Sequence, residues 1–480
     1  MPLSEVFRLH ARLRGSKVAI RQGPRRISYR SLDRLINGVC FVLEGLGVRR
    51  GDLVGVALRD SAEHLIVLLA LSRYGAVIVP IDWRWSESEQ QAVAARFGAR
   101  MVLIDGAPAG RPETWPVISA AWFSETDREY LDDQLGDDSP LLLSLSAGTT
   151  GHPKGPCATH RQFENRFMAY WIDLTLNAHD RFVLATPLYH GGGRGFALAM
   201  LFAGATVCVF PAPYRPHELI PHVAEVDGTA TFLVPTILRR LLENRFDGLA
   251  FPGLRKLISS GSALYQEERV AVRQRLTPHL YEIYSSTEGG AATVTGPEEM
   301  DRYPDSVGRP AFRVQLEIVD DSHRPVRPGE VGRLRYRSPA SPQGYFVGDS
   351  SEAFRDGWFY PGDLAAMNAD GFVFLKGRAK DMIIRGGVNI YPADIEQVLL
   401  EAEEVTDAAV LGVPSRELGE EVAAFVVASS PVEAAQLVSL CRARLAAYKV
   451  PSRIFFVDSL PRNSAGKVLK AELTRLAGAG

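Results

Sequence analysis

The chain has 480 residues, 46% of them hydrophobic and 23% charged, a balance that excludes disordered, collagen-like and small disulfide-scaffold proteins. That length corresponds to about three domains of roughly 150 residues. With 54 basic against 56 acidic residues the formal charge is -2, so no global basic field exists to attract nucleic acid.

The N-terminal stretch carries Arg8, Arg12 and Arg14 without an apolar centre, so it does not read as a signal peptide. Leu32, Leu35, Ile36, Val39 and Leu43 recur at helical spacing after Ser31, the expected cap. Leu53–Leu58 then reads as a strand, Ser61–Tyr74 as a helix, and Ala76–Pro80 as a strand. Glu87–Phe97 follows as a helix and Met101–Asp105 as a strand. Such alternation predicts parallel sheets covered by helices, with ligands at the carboxyl ends of strands. The pattern repeats from 140 to 300. Within it Gly195–Tyr214 is nearly free of charge, but Gly204, Pro211 and Pro213 make it a helix followed by a strand, not a membrane span.

Beyond 300 the chain turns strand-rich, with Arg313–Val319, Val331–Arg337 and Gly371–Lys376 as candidates. A compact α/β pattern then restarts: helices near Ala393–Ala402 and Val432–Leu445, strands near Ala408–Leu411 and Val422–Ala428. The charged segment Arg378–Asp381 is expected to be exposed. It sets a boundary near Lys380, between a domain over 1–379 and a smaller one over 380–480. Cys40, Cys157, Cys208 and Cys441 lie far apart, which excludes a zinc knuckle or a CxxC redox site and predicts a reducing, cytoplasmic setting. The final LAGAG carries no lipidation or peroxisomal signal.

Five segments carry chemistry. Ser144–Gly155, SLSAGTTGHPKG, is rich in hydroxyls and glycines and ends near Lys154. Glycines admit backbone N–H groups close to an anion, and lysine adds charge. A surface turn is the plainer reading. The segment is not a P-loop, because five residues after Gly148 comes Pro153. In Tyr281–Gly290, YEIYSSTEGG, a strand is expected to end at Tyr284, whose ring offers a face for a purine. Thr287 could reach a phosphate oxygen and Glu288 a magnesium ion, although a bare strand-end turn also fits. Asp363 in Gly357–Leu364, GWFYPGDL, suits ribose hydroxyls, or an Asx turn. Gly377–Glu396 and Pro461–Lys470 complete the set; Lys467 follows a flexible Asn-Ser-Ala-Gly stretch.

In this order the five segments resemble the adenylate-forming superfamily, in its acyl- and aryl-CoA synthetase branch. Gly261-Ser-Ala-Leu264, Pro187-Leu-Tyr-His190 and Leu445–Pro451 add to the likeness, which runs from Ser28 to Lys470. The resemblance implies an α/β protein: a large N-terminal domain of two α/β subdomains and a β-rich one, then a small mobile α+β C-terminal domain. It implies ATP, Mg²⁺ and coenzyme A as ligands. Ser146, Gly148, Thr149, Thr150, Gly151 and Lys154 would form the phosphate loop. Gly261, Ser262 and Ala263 would line the adenine site with Tyr284 and Ser285. Thr287 would contact phosphate, Glu288 the metal, and Asp363 and Arg378 the ribose. Lys380 would be the hinge, Lys467 the lysine bridging carboxylate and phosphates, and Gly386 and Gly387 would leave room for the pantetheine arm. The implied reaction is acyl-adenylate formation with pyrophosphate release, followed by transfer to a thiol. Two positions depart from the family pattern: Ala147 stands where a second serine is usual and Ser285 where glycine is usual.

Pro187–Arg194 carries His190 and no aspartate to pair with an ammonium, so it resembles the CoA ligases rather than the amino-acid-activating members. The acid is expected to lack an α-ammonium. His190 is either a substrate contact or a packing or gate residue. Arg194 either meets a second polar or anionic group on the acid or is paired or solvated outside the pocket, and Gly191–Gly193 could simply widen that pocket. A standalone enzyme loading a carrier protein is the rival within the family. His190-Gly-Gly-Gly193 resembles an esterase oxyanion segment, but no GxSxG elbow accompanies it. The intact set Lys154, Glu288, Asp363, Arg378 and Lys467 opposes a degenerate binding protein. Chain length of the acid and oligomeric state stay open.

Overall fold

The computed structural model describes residues 3–106, 112, 115–145, 154–211, 213–385, 388–415, 418–462 and 468–478. Among these, strands form four sheets, of nine, six, five and five strands. The first five-stranded sheet runs Met101–Ile104, Leu53–Ala57, Val77–Pro80, Pro140–Leu143 and Cys157–Thr159, parallel except for the last strand. Val77–Pro80 and Met101–Ile104 are wholly buried, because helices cover both faces of a parallel sheet. Nearby helices begin on side-chain caps. Ser61 accepts from the amide of His64, and Ser86 and Glu89 form a capping box. They end on Gly75 and Gly98, which take left-handed φ of 79° and 69°.

The nine-stranded sheet has a parallel centre in the order Thr206–Val209, Arg181–Leu184, Ala230–Phe232, Lys256–Ser259 and Leu280–Ser286. Antiparallel strands close its edges: Arg25–Ser28 beyond Val18–Gln22, and Gly290–Thr295 with Arg309–Pro310. One hydrophobic core joins the two parallel sheets, running from Leu3 to Ile283. The N-terminal helix Leu3–Leu13 belongs to it, with Phe7 2% exposed and His10 bonded to the Phe202 carbonyl at 2.8 Å. The charge-poor segment is the helix Gly191–Phe202 followed by the strand Thr206–Val209. No described helix is long and apolar enough to cross a membrane.

The six-stranded sheet is antiparallel and includes Gly332–Arg337, Asp363–Met367 and Val373–Arg378. The last sheet joins Val388–Ile390, Ile383–Arg385, Gly419–Ala428, Val405–Ser415 and Arg453–Phe456 around its own core.

Several expectations need correction. The helix begins at Tyr29, and its cap is Ser28; Ser31 supplies the amide that Ser28 accepts from. The strand expected over Ala408–Leu411 spans Val405–Ser415, because its long antiparallel ladder to Gly419–Ala428 carries it past the apolar run. The strand expected to stop at Tyr284 continues to Ser286, held by pairing to Gly290–Thr295 across an irregularity at Tyr284/Ser285. In the segment Arg378–Asp381 only Lys380 is exposed; Arg378 is the end of a strand.

Candidate active site

A cleft of about 1870 Å³ opens at the carboxyl ends of the central parallel strands, where such sheets bind ligands. Strand Arg181–Leu184 delivers Ala185, Thr186, Pro187, Tyr189 and His190 to it, Ala230–Phe232 delivers Val234, Lys256–Ser259 delivers Ser260 and Gly261, and Leu280–Ser286 delivers Thr287 and Glu288. The volume exceeds the several hundred Å³ usual for one small ligand and accommodates a nucleotide beside a second substrate.

The nucleotide-side candidates come together. Arg378 Nε lies 2.8 Å from an Asp363 oxygen, and the Tyr284 hydroxyl donates to the other carboxylate oxygen. Burial, then the Asp363 charge, push the Tyr284 phenol well above its ordinary range, so it stays a donor. Gly261 lines the cleft at φ 105°, and Ser285 lines it through a 3.0 Å hydroxyl contact with Ser260. Ser262 and Ala263 continue the Gly261 loop but are not among the cleft-lining residues.

Thr287 is exposed on the cleft, and Glu288 is half-buried with the Tyr345 hydroxyl 3.4 Å from Oε1. No cation among the described residues pairs with Glu288, and no cluster of three metal-binding side chains occurs among them. One carboxylate with no cationic partner among the described residues, beside the Thr287 hydroxyl, fits Mg²⁺, which keeps most ligands as water and substrate phosphate instead of a protein cage.

Two groups that the sequence did not single out organise this end. Tyr345 lies with its ring 5.1 Å from Lys154 Nζ while its hydroxyl faces Glu288. Pairing of Pro156 with Tyr345, and the 2.8 Å bond from Phe346 N–H to the Gly155 carbonyl, set it there. Arg166, on the helix His160–Asp173, donates at 3.2 Å to the carbonyls of Glu288 and Ala340. Neither carries a motif; only long-range pairing reveals them.

The other half of the cleft is aromatic. Tyr170, Phe196 and Phe232 stack in a row, with centroids 4.3 and 5.1 Å apart. His190 stands at the head of the helix Gly191–Phe202, its ring 4.4 Å from that of Tyr189. Burial pushes its pKa down to about 4, so the imidazole is neutral at pH 7. Gly191 lines the cleft. Arg194 also lines it and is 2% exposed, neither solvated nor ion-paired among the described residues. That removes the reading of a guanidinium outside the pocket.

Lys380 lines the cleft from the turn Ala379–Asp381 and makes no side-chain bond among the described residues. Arg462, shortly before Lys467, lines it from the C-terminal side and pairs with Asp407 at 2.6 Å. Ser146, Gly148, Thr149, Thr150, Gly151, Gly386, Gly387 and Lys467 lie outside the described residues.

Residues 7–346 match the family model of the AMP-binding enzyme, and residues 394–467 that of the AMP-binding enzyme C-terminal domain. An indoleacetate–CoA ligase of Aromatoleum aromaticum is 32% identical over 99% of this chain and 98% of its own. A fatty acid–[acyl-carrier-protein] ligase, ScoC, of Streptomyces coeruleorubidus is 31% identical over 98% of this chain and 95% of its own. The crystal structure of ATP-bound MatB from Rhodopseudomonas palustris superposes with a TM-score of 0.90 at 27% identity, covering 99% of both chains.

Proposed function

The chain belongs to the AMP-binding enzyme family, and on that premise we propose that it activates an aromatic carboxylic acid with ATP and transfers the acyl group to coenzyme A. It is an AMP-forming acid–thiol ligase. The observation that supports the aromatic acid is the row of stacked rings Tyr170, Phe196 and Phe232 on the cleft wall, which favours a flat apolar body.

The acid's carboxylate oxygen attacks the α-phosphorus of ATP, the α–β anhydride bond breaks, and pyrophosphate leaves. The thiol sulfur then attacks the acyl carbon, the carbonyl–phosphate bond breaks, AMP leaves, and the thiol proton passes to solvent. No protein nucleophile takes part; both reactants are anions, so the protein's work is positioning and charge compensation. We assign Lys154 to the phosphates, Asp363 and Arg378 to the ribose, Gly261 and Tyr284 to the adenine side, and Thr287 to phosphate. Glu288 would hold Mg²⁺, which adds positive charge at the phosphates. Ser146, Gly148, Thr149, Thr150 and Gly151 would complete the phosphate loop. Lys467 would serve only the first step. Rotation of residues 380–480 about Lys380 would withdraw it and bring Gly386 and Gly387 to the acyl group. The four free cysteines, three of them buried, agree with a reducing, cytoplasmic setting.

The test is pyrophosphate release with phenylacetate, indoleacetate, cinnamate and straight-chain acids, followed by thioester formation with free coenzyme A or a phosphopantetheinylated carrier. Faster release with the aryl acids and thioester on free coenzyme A are expected. Preference for straight-chain acids would overturn the aromatic assignment, and thioester on the carrier alone would assign the chain to carrier loading.

A further inference from the structure

We propose that the acid carries a second negatively charged group, bound by the open first turn of the helix Gly191–Phe202 together with the buried guanidinium of Arg194. This rests on the ligase reading, since it names the substrate of the same cleft.

The helix is 12 residues long, and His190 at its head gives it no side-chain cap. Its first amides, those of Gly191, Gly192 and Gly193, therefore lack intrahelical partners, and the aligned peptide dipoles favour an anion there. Side chains are kept away from this turn. A Cβ on Gly192 would come 2.4 Å from the Phe232 ring, and one on Gly193 would come 2.1 Å from the Thr186 carbonyl oxygen. Of these residues Gly191 and Gly192 line the cleft, while Gly193 is buried against the Thr186 and Pro187 carbonyls.

Arg194 is the second, independent observation. Its side chain is buried on the cleft wall, and Nη1 donates to the carbonyls of Leu188 and Tyr189 at 2.8 and 3.1 Å. Nε has no partner. No carboxylate among the described residues lies within ion-pair distance of it, whereas other arginines of the chain, such as Arg73 with Asp33 at 2.6 Å, have one. The charge that bears on it most is that of Arg166, also positive. A guanidinium removed from water without a counter-ion is strongly destabilised, and an anionic guest supplies the missing charge. Two carbonyl bonds hold the fork in place, so the site is preorganised. The reacting carboxylate has to reach the end of the cleft where Lys154 and Glu288 stand. In the proposed reaction that carboxylate is met by Lys467 and Mg²⁺, so an anion held at Arg194 is a second one.

The experiment compares phenylacetate with its ortho-, meta- and para-carboxylated derivatives. Binding is measured by calorimetry in the presence of α,β-methylene-ATP, and turnover by pyrophosphate release. At least one ring-carboxylated isomer should bind about tenfold tighter than phenylacetate to the unaltered enzyme. Arg194→Leu should abolish that preference and Arg194→Lys should retain part of it, with melting curves reporting that each variant is folded. Equal or weaker binding of all three isomers to the unaltered enzyme overturns the proposal, whether or not the variants fold. So does a folded Arg194→Leu protein in which every acid is weakened in the same proportion. Preference without pyrophosphate release would keep the anion site and remove the ligase reading. Release from phenylacetate without preference would do the opposite, and absence of both binding and release would remove both.

Discussion

Asp363 and Arg378 face each other across an antiparallel ladder and are joined by a 2.8 Å ion pair, although they stand on different strands. The pair is locked from both sides. Tyr284 donates to Asp363, and Arg378 Nη1 donates to the Pro361 carbonyl at 2.6 Å. The six-stranded sheet thus presents its ribose candidates directly to the strand of the nine-stranded sheet that leads into Glu288. Asp363→Ala should raise the KM for ATP about tenfold or more, as expected for loss of charge-assisted bonds. The KM for the acid should change little. ATP–pyrophosphate exchange at varied ATP and varied acid checks this; a change confined to the acid would refute the ribose assignment.

Tyr345 connects Lys154 and Glu288. Tyr345→Phe keeps the ring beside Lys154 and removes only the 3.4 Å hydroxyl contact, so the Mg²⁺ needed for half-maximal activity should shift about two- to threefold. Tyr345→Ala removes both contacts and should reduce activity about tenfold or more. Magnesium titrations of both variants provide the measurement, and identical titrations would exclude the linking role.

Lys467 and Lys380 should separate the two half-reactions. Lys467→Ala should slow adenylate formation about a hundredfold or more while sparing thiolysis of supplied acyl-adenylate. Lys380→Pro restricts φ at the turn and should impair thiolysis more than adenylation. Equal losses in both steps, in either variant, would contradict rotation about Lys380.

Asp60 should set a pH dependence of stability. It is 4% exposed and accepts the Leu188 amide at 2.7 Å, holding the loop whose carbonyl Arg194 uses. Burial lifts its carboxyl from an ordinary 3.8 to about 6. The folded protein therefore binds this proton more tightly than the unfolded chain. The resulting stabilisation is complete below about pH 4 and is lost as the pH rises to about 6, on the order of 3 kcal/mol. Asp60→Asn keeps an acceptor for Leu188 without the charge. Its melting temperature should gain on the unaltered protein across that window and stay ahead above it. Parallel curves from pH 4 to 7 would rule this out.

Gly289 tests close approach beside Glu288. A Cβ there would come 2.1 Å from the hydroxyl of Tyr336, a buried side chain that is itself bonded to Ser286 at 2.9 Å. Gly289→Ala should destabilise the fold by about 1–3 kcal/mol. Gly45→Ala, at a helical position with nothing within 4 Å of the added carbon, should be neutral or slightly stabilising. Denaturant unfolding of the two variants measures the contrast.

Much of this protein is written locally. The apolar run Val77–Pro80, the period of Leu32 to Leu43 and the cap at Ser61 need only neighbouring residues, because strand burial, helical spacing and capping are short-range effects. The same holds for the order of the motifs around Lys154, Glu288, Asp363, Arg378 and Lys467, which suffices to identify the family. Other features belong to the folded chain alone. That Tyr345 meets both Lys154 and Glu288, that Arg166 supports the Glu288 loop, and that Ser28 rather than Ser31 caps its helix depend on partners brought together by sheet pairing or on backbone angles at a single residue. Arg194 shows the distinction most sharply: its charge is visible in the sequence, but only packing removes it from water and leaves it without a counter-ion among the described residues. Burial and charge compensation are properties of three-dimensional neighbourhoods, which no local stretch of sequence contains.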